Sequence, residues 1–249
     1  MRTLGIDLAA SEARTGACFI DWGDDTGVVR TPRLGLSDDR LLQDMAAADK
    51  VAIDAPFGWP EGFVDAVSSY AEGGPWSAVD RSTLRYRQTD RVIAGDGRPP
   101  LSVSSDLIAV TAMRCALLLT RLAEDGVAVD RAGSGLIVEV YPAAALRAWG
   151  FRPGRYKDTS GRQARVALVA ELIERCRPWL EFPLECVAMC EASDHALDAV
   201  ICALVARAKA VGATRDIPED LLAAARREGW IHVPAASSWE WLGGGYRET

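Results

Sequence analysis

The chain lacks a long hydrophobic run. No stretch of its 249 residues approaches the roughly 18 uninterrupted apolar positions of a membrane span, and MRTLGIDLAASEARTG at the N-terminus has no apolar run of signal-peptide length. The expectation is a cytoplasmic protein with no membrane partner. Paired soft metal ligands are also missing. None of the six cysteines (Cys18, Cys115, Cys176, Cys186, Cys190 and Cys202) forms a CxxC, and only two histidines are present. That argues against a zinc site and leaves the cysteines as reduced, buried small hydrophobes. An excess of positive charge is absent too, since the net charge is −7. A protein that coats nucleic acid through its whole surface needs the opposite sign, which leaves room only for a local basic groove. What remains is ordinary globular composition, 49% apolar and 25% charged, enough for a core that needs neither disulfide nor structural metal.

Periodicity gives the elements. TLGIDLA (3–9), ARTGACFIDW (13–22) and VVRTPRLG (28–35) read as three strands with short connections, hence an antiparallel meander. SDDRLLQDMAAA (37–48) has a Ser/Asp start and apolar residues at 41, 42 and 45, which predicts a helix. KVAIDAPFGWP (50–60) is a fourth strand stopped by a Pro/Gly turn. The stretch 60–104 reads as irregular. SDLIAVTAMRCALLLTRLAEDG (105–126) predicts a helix, GLIVEVYPAA (135–144) a strand broken by Pro142, and AALRAWG (144–150) a short helix. RQARVALVAELIERCR (162–177) and 218–228 predict further helices, and GWIHVPA (229–235) a last strand. A meander followed by βαβ-type crossovers fits an α/β fold, a mixed sheet with helices on its faces.

The segment ASDHALDAVICALVA (192–206) poses the functional question. From Ala196 to Ala206 every residue but Asp198 is apolar. An unpaired buried carboxylate costs several kcal/mol, so Asp198 needs a basic side chain, hydrogen-bond donors or a metal ion. Asp194 and His195 lie one turn earlier on the same helix face. Two carboxylates and an imidazole read as a cation site. Equally, Ser193 or Asp194 caps the helix and Asp198 meets an Arg from elsewhere.

Asp7 in LGIDLA, Asp54 in VAIDAP and Glu139 in LIVEVY each sit inside an apolar strand, where charge is depleted. Adjacent first and fourth strands would bring Asp7 and Asp54 together, and a helix crossing them would add Asp198. Such a cluster repels itself unless a cation joins it. Oxygen-only ligands suit Mg²⁺ or Mn²⁺, and two such ions about 4 Å apart support phosphodiester cleavage. The competing reading is a buried network with Arg87, Arg91 or Lys157. RSTLRYRQTDR (81–91) offers candidate substrate contacts in Arg87, Asp90 and Arg91, the arginine forks gripping phosphate; against this, Asp80 and Asp90 offset the charge of a solvated loop. Lys157 in RYKDTSGR is a candidate to stabilise transition-state charge, or is simply exposed.

GIDLA on strand one, the acid ending strand four and HALDAVICA on a late helix resemble the ribonuclease H-like superfamily. The HxxDA pattern is similar to that of RuvC-type resolvases and the RuvC-like domain of RNA-guided nucleases. Across nearly the whole chain, IDAPFGWP, RYRQTDR, EVYPAA, YK and SDHALDAVICA resemble the domain-of-unknown-function 429 (DUF429) group, described as predicted nucleases. The resemblance implies a single domain over 1–249 with a ribonuclease H-like mixed five-stranded sheet flanked by helices. A helical insertion at about 60–135 lies between strands four and five. It also implies metal binding by Asp7, Asp54 and Asp198, with His195 as a further ligand or proton-transfer group, or Asp194 in its place. The implied activity is hydrolysis of a nucleic acid or nucleotide. Two other classes compete. GIDLAASEARTG is loosely similar to the first phosphate loop of actin-like ATP-dependent phosphotransferases, but no second phosphate loop or adenosine motif accompanies it. A non-catalytic nucleic-acid or nucleotide-binding scaffold is the third, and the intact acid set counts against it.

Overall fold

A computed structural model describes residues 1–76, 80–95, 100–157, 160–236 and 238–243. In chain order the elements are β1 (Arg2–Asp7), β2 (Gly16–Trp22), β3 (Gly27–Val29), β4 (Arg33–Leu34), α1 (Asp38–Ala46), β5 (Lys50–Asp54), α2 (Glu61–Ala71), α3 (Arg81–Arg85) and α4 (Gln88–Gly95). There follow α5 (Ile108–Glu124), β6 (Ile137–Glu139), α6 (Pro142–Ala148), α7 (Arg162–Cys176), β7 (Leu180–Glu181), α8 (Leu184–Ala192), α9 (Asp194–Ala210) and α10 (Leu222–Glu228). The protein is mixed α/β, and its described residues fall into two compact units. The first takes the described residues within 1–54, 140–215 and 232–243, and the second those within 55–139 and 216–231. The stretch 60–135 therefore lies in the second unit.

The sheet of the first unit grows from its meander. β2 runs antiparallel to β1 and β3, while β5 and β7 add in parallel to β1 and β3 respectively. Among the described residues of the whole chain seven strands form, where five were expected. One reason is Pro32, which has no N–H to donate and divides VVRTPRLG. Its two halves pair separately with β2, β3 against Ile20–Trp22 and β4 against Gly16–Ala17. GWIHVPA makes only isolated bridges, Ile231 with Glu139 and Pro234 with Thr214. The described part of the stretch 60–104 is not irregular. It contains α2, α3 and α4, of which α3 is five residues long and capped by the Asp80 side chain accepting from the Ser82 N–H at 3.1 Å. Helices that short carry too little periodicity to register. Pro99 and residues 158–159 of the turn after Lys157 lie outside the described residues.

The helix that positions the site is α9. The Ser193 hydroxyl caps it, accepting from the Ala196 N–H at 3.4 Å, and its residues from Ala196 to Ala206 are all buried. It packs on β1, β2 and β5. The approach is close because Gly5 leaves room for it: a Cβ there would collide with the Ala199 carbonyl oxygen and the Ala203 nitrogen. Gly16 plays the same part on β2, where a Cβ would lie 2.7 Å from the His195 carbonyl oxygen. Small residues on both sides let backbone meet backbone. Asp7 follows Gly5 by two positions, so its side chain leaves the same face of the sheet. Gly5→Ala is expected to lower stability by more than about 3 kcal/mol, because backbone rather than a flexible side chain must move. Urea unfolding measures it, and an unchanged midpoint would show that α9 can lift away without loss.

No helix among the described residues is long and apolar enough to cross a membrane. All six cysteines are free and buried.

Candidate metal centre

Asp7 and Asp54 end neighbouring parallel strands, and the register pairs them directly. Asp198 enters from α9. One carboxylate oxygen from each of the three lies within 4.8 Å of the others. Acids separated by 47 and 144 positions therefore meet, because β1 and β5 are adjacent and α9 crosses both. The expectation for Asp7, Asp54 and Asp198 is met in space.

Asp198 is 2% exposed and has two protein donors. The Tyr156 hydroxyl donates to Oδ1 at 2.7 Å, and the Lys157 ammonium lies 2.6 Å from Oδ2. The same ammonium is 3.9 Å from Asp54 Oδ2. Burial pushes the Asp198 carboxyl up to about 6, with the Asp7 charge adding to the effect and Lys157 opposing it. Partial burial works against the Lys157 charge, but Asp198 foremost, then Tyr156 and Asp54, outweigh it and raise its pKa. Burial, assisted by Asp198, likewise holds the Tyr156 hydroxyl protonated, as a donor must be. The carboxylate cluster and the network with Lys157, alternatives in the sequence, are thus parts of one site.

His195 Nδ1 lies 2.6 Å from Asp7 Oδ2. This hydrogen bond raises the imidazole pKa, partial burial opposes it, and the charges of Asp7, Asp194 and Asp198 add to the rise. Asp194 stands at the first residue of α9 and is not among the converging carboxylates. An acid there is favoured by the helix N-terminal dipole.

Two residues of the site are not among the candidates that the sequence singles out. One is Tyr156. The other is Arg165, which is buried and aims its guanidinium at backbone carbonyls: Nη1 to Tyr156 at 2.7 Å, Nε to Glu191 at 3.1 Å and Nη2 to Ala192 at 3.2 Å. It thereby satisfies the carbonyl end of α8 and pins the peptide next to Lys157. The signal was available. Arg165 shares the buried stripe of α7 with Leu168, Val169, Leu172 and Cys176, as anomalous there as Asp198 is in α9.

The donor set is oxygen only. Cys202, one turn beyond Asp198, is held as a thiol by burial and by the charges of Asp54, Asp198 and Asp7. Three carboxylates outnumber the Lys157 ammonium and leave negative charge to be matched. Such a site fits a hard divalent cation.

Glu139, by its place in an apolar strand a further candidate metal ligand, and Arg87 and Asp90, the candidate substrate contacts, are engaged with one another instead. Arg87 and Asp90 are 2% and 1% exposed, so a phosphate cannot reach them. In the second unit, Arg87 bonds both Glu139 oxygens, at 2.9 and 2.7 Å, and both Asp90 oxygens, at 3.1 and 2.9 Å. Glu139 also accepts the Phe57 N–H at 2.9 Å. With both oxygens engaged in an ion pair, it is not one of the converging acids. Arg91 is half-buried, its Nε enclosed without a hydrogen-bond partner among the described residues.

A mixed α/β fold with a buried acidic cluster that could hold a metal ion is the class these features define. Within it, the chain belongs to the family described as "Protein of unknown function (DUF429)", whose model matches residues 5–222. The matched span includes all three clustered carboxylates together with Lys157 and His195. Neither a curated protein nor a solved structure matches the chain.

Proposed function

We propose that this protein is a divalent-metal-dependent hydrolase of phosphodiester bonds, a nuclease or phosphodiesterase of ribonuclease H-like type. The observation that carries the reading is the convergence of Asp7, Asp54 and Asp198 to within 4.8 Å. Mg²⁺ or Mn²⁺ is the matching cofactor, and the acids of β1, β5 and α9 would hold it. A bound ion supplies Lewis-acid stabilisation of a phosphoryl oxygen and lowers the pKa of water. The chain's own groups do the rest. With Nδ1 of His195 engaged by Asp7, Nε2 is the ring atom left to exchange a proton with water or a leaving group. Lys157, 42% exposed, presents an ammonium to the charge that grows on phosphate during cleavage. Tyr156 and Arg165 hold that ammonium and Asp198 in place. An acidic chain of net charge −7 suits a small or structured nucleic-acid or nucleotide substrate better than non-specific binding to bulk duplex.

The test is hydrolysis of bis(p-nitrophenyl) phosphate and of single-stranded and duplex oligonucleotides, with Mn²⁺ or Mg²⁺ and after chelation. Cleavage that requires the ion and disappears with EDTA is the expected outcome. Absence of ion-dependent cleavage of every one of these substrates, together with no retention of Mn²⁺ by the protein, would overturn the reading.

A further inference from the structure

We propose that the Lys157 ammonium permanently fills one of the two cation positions of this site, so that the chain takes a single divalent ion, held chiefly by Asp7 and Asp54. This inference rests on the metal-dependent reading above and departs from the two-ion arrangement that three clustered carboxylates suggest by themselves. In a two-ion site the ions stand about 4 Å apart, each between carboxylates. Lys157 Nζ already stands between two of them, 2.6 Å from Asp198 Oδ2 and 3.9 Å from Asp54 Oδ2. A second divalent ion at that place would have to expel the ammonium or sit against it, and like charges at such a separation repel strongly in a partly buried setting.

The lysine is also built in rather than passing by. Asp198 is committed to protein donors at both oxygens, Tyr156 at Oδ1 and Lys157 at Oδ2. The peptide preceding Lys157 is anchored through the bond from Arg165 Nη1 to the Tyr156 carbonyl at 2.7 Å, and Arg165 is in turn tied to the end of α8. A lysine that merely drifted over a surface would need neither clamp. At the opposite side of the cluster Asp7 and Asp54 are register partners on adjacent strands. They offer two carboxylates side by side, the arrangement Mg²⁺ uses when one or two acids bind it and water completes its shell. Of the ammonium's three protons, one engages Asp198, and the exposed side of the group is left to meet a non-bridging phosphate oxygen as a point charge. The lysine then does electrostatically what the second ion does elsewhere.

The test is the number of Mn²⁺ ions bound by the full chain at saturation, measured by equilibrium dialysis, with electron paramagnetic resonance to detect a spin-coupled pair. One uncoupled Mn²⁺ in the wild type and two coupled ions in Lys157→Met is the expected result, while Lys157→Arg stays at one. Lys157→Gln, which keeps a donor for Asp198 without the charge, gives the same reading should the Met variant misfold. Two coupled ions in the wild type, or a single ion in the folded Met and Gln variants, overturns the proposal while leaving metal dependence intact. No Mn²⁺ on any of the proteins overturns this inference, and with ion-dependent cleavage also absent it overturns the metal reading itself.

Discussion

Asp7→Asn is expected to lower the proposed metal-dependent turnover by a factor on the order of a thousand or more, with the fold retained. The size follows from how narrowly the charges balance. Asp7, Asp54 and Asp198 face Lys157 and His195 at the same point, so little negative charge is left to attract a dication. Asparagine keeps the shape and one acceptor oxygen and deletes a full charge. Two carboxylates, one of them paired with the Lys157 ammonium, then offer a divalent ion far less electrostatic gain. The loss exceeds that of removing a single transition-state hydrogen-bond donor, itself about a hundred- to a thousandfold. Asp198→Asn acts through a second route, since it also frees Lys157 from its anchor. Initial rates at saturating Mn²⁺ give the effect, Mn²⁺ titration separates lost binding from lost chemistry, and circular dichroism verifies the fold. Cleavage at the parental rate in both variants would reject the assignment of these acids.

How far the sequence leads depends on what kind of statement it can make. An acid inside an apolar strand or helix must have a partner, and Asp7, Asp54, Glu139 and Asp198 all satisfy that description. It was enough to single out the four. It was not enough to separate Glu139, whose partner is Arg87, from the three that converge, because the identity of a buried partner is a tertiary fact. The same limit governs the arginines. RSTLRYRQTDR reads as a basic, exposed stretch, yet Arg87 within it is enclosed and Arg91 half-buried. Arg165 was open to the argument applied to Asp198, since it interrupts the buried stripe of α7. The strands of the meander and the long helices were legible from their periods, whereas α3 and α4, of five and eight residues, are too short to carry one. The adjacency of Asp7 and Asp54 could be anticipated from topology. Their register, residue against residue, could not.

Arg87→Met should destabilise the second unit by about 3–5 kcal/mol, because it strands two carboxylates in the interior. A guanidinium has five N–H donors, and each makes a bond here. Nε and Nη2 serve Asp90, Nη1 and Nη2 serve Glu139, and Nη1 also reaches the Glu228 carbonyl at 3.2 Å. Burial raises the Glu139 carboxyl and Arg87 is the first influence that pulls it back, so without Arg87 the acid must protonate or draw in water. A loss of that size is a large fraction of the roughly 5–15 kcal/mol that holds an ordinary domain. Arg87→Lys keeps the charge but not the fork, and leaves part of the bond set unmade. Urea unfolding should rank the parent above Arg87→Lys, and Arg87→Met lowest. Adding Glu139→Gln and Asp90→Asn to Arg87→Met should recover part of the loss, since the two acids paired with Arg87 then carry no stranded charge. Kinetics discriminate this structural role from phosphate recognition. Under conditions where Arg87→Lys is folded, its KM should equal the parent's, and a KM raised tenfold with stability intact would mean that the guanidinium meets substrate after all.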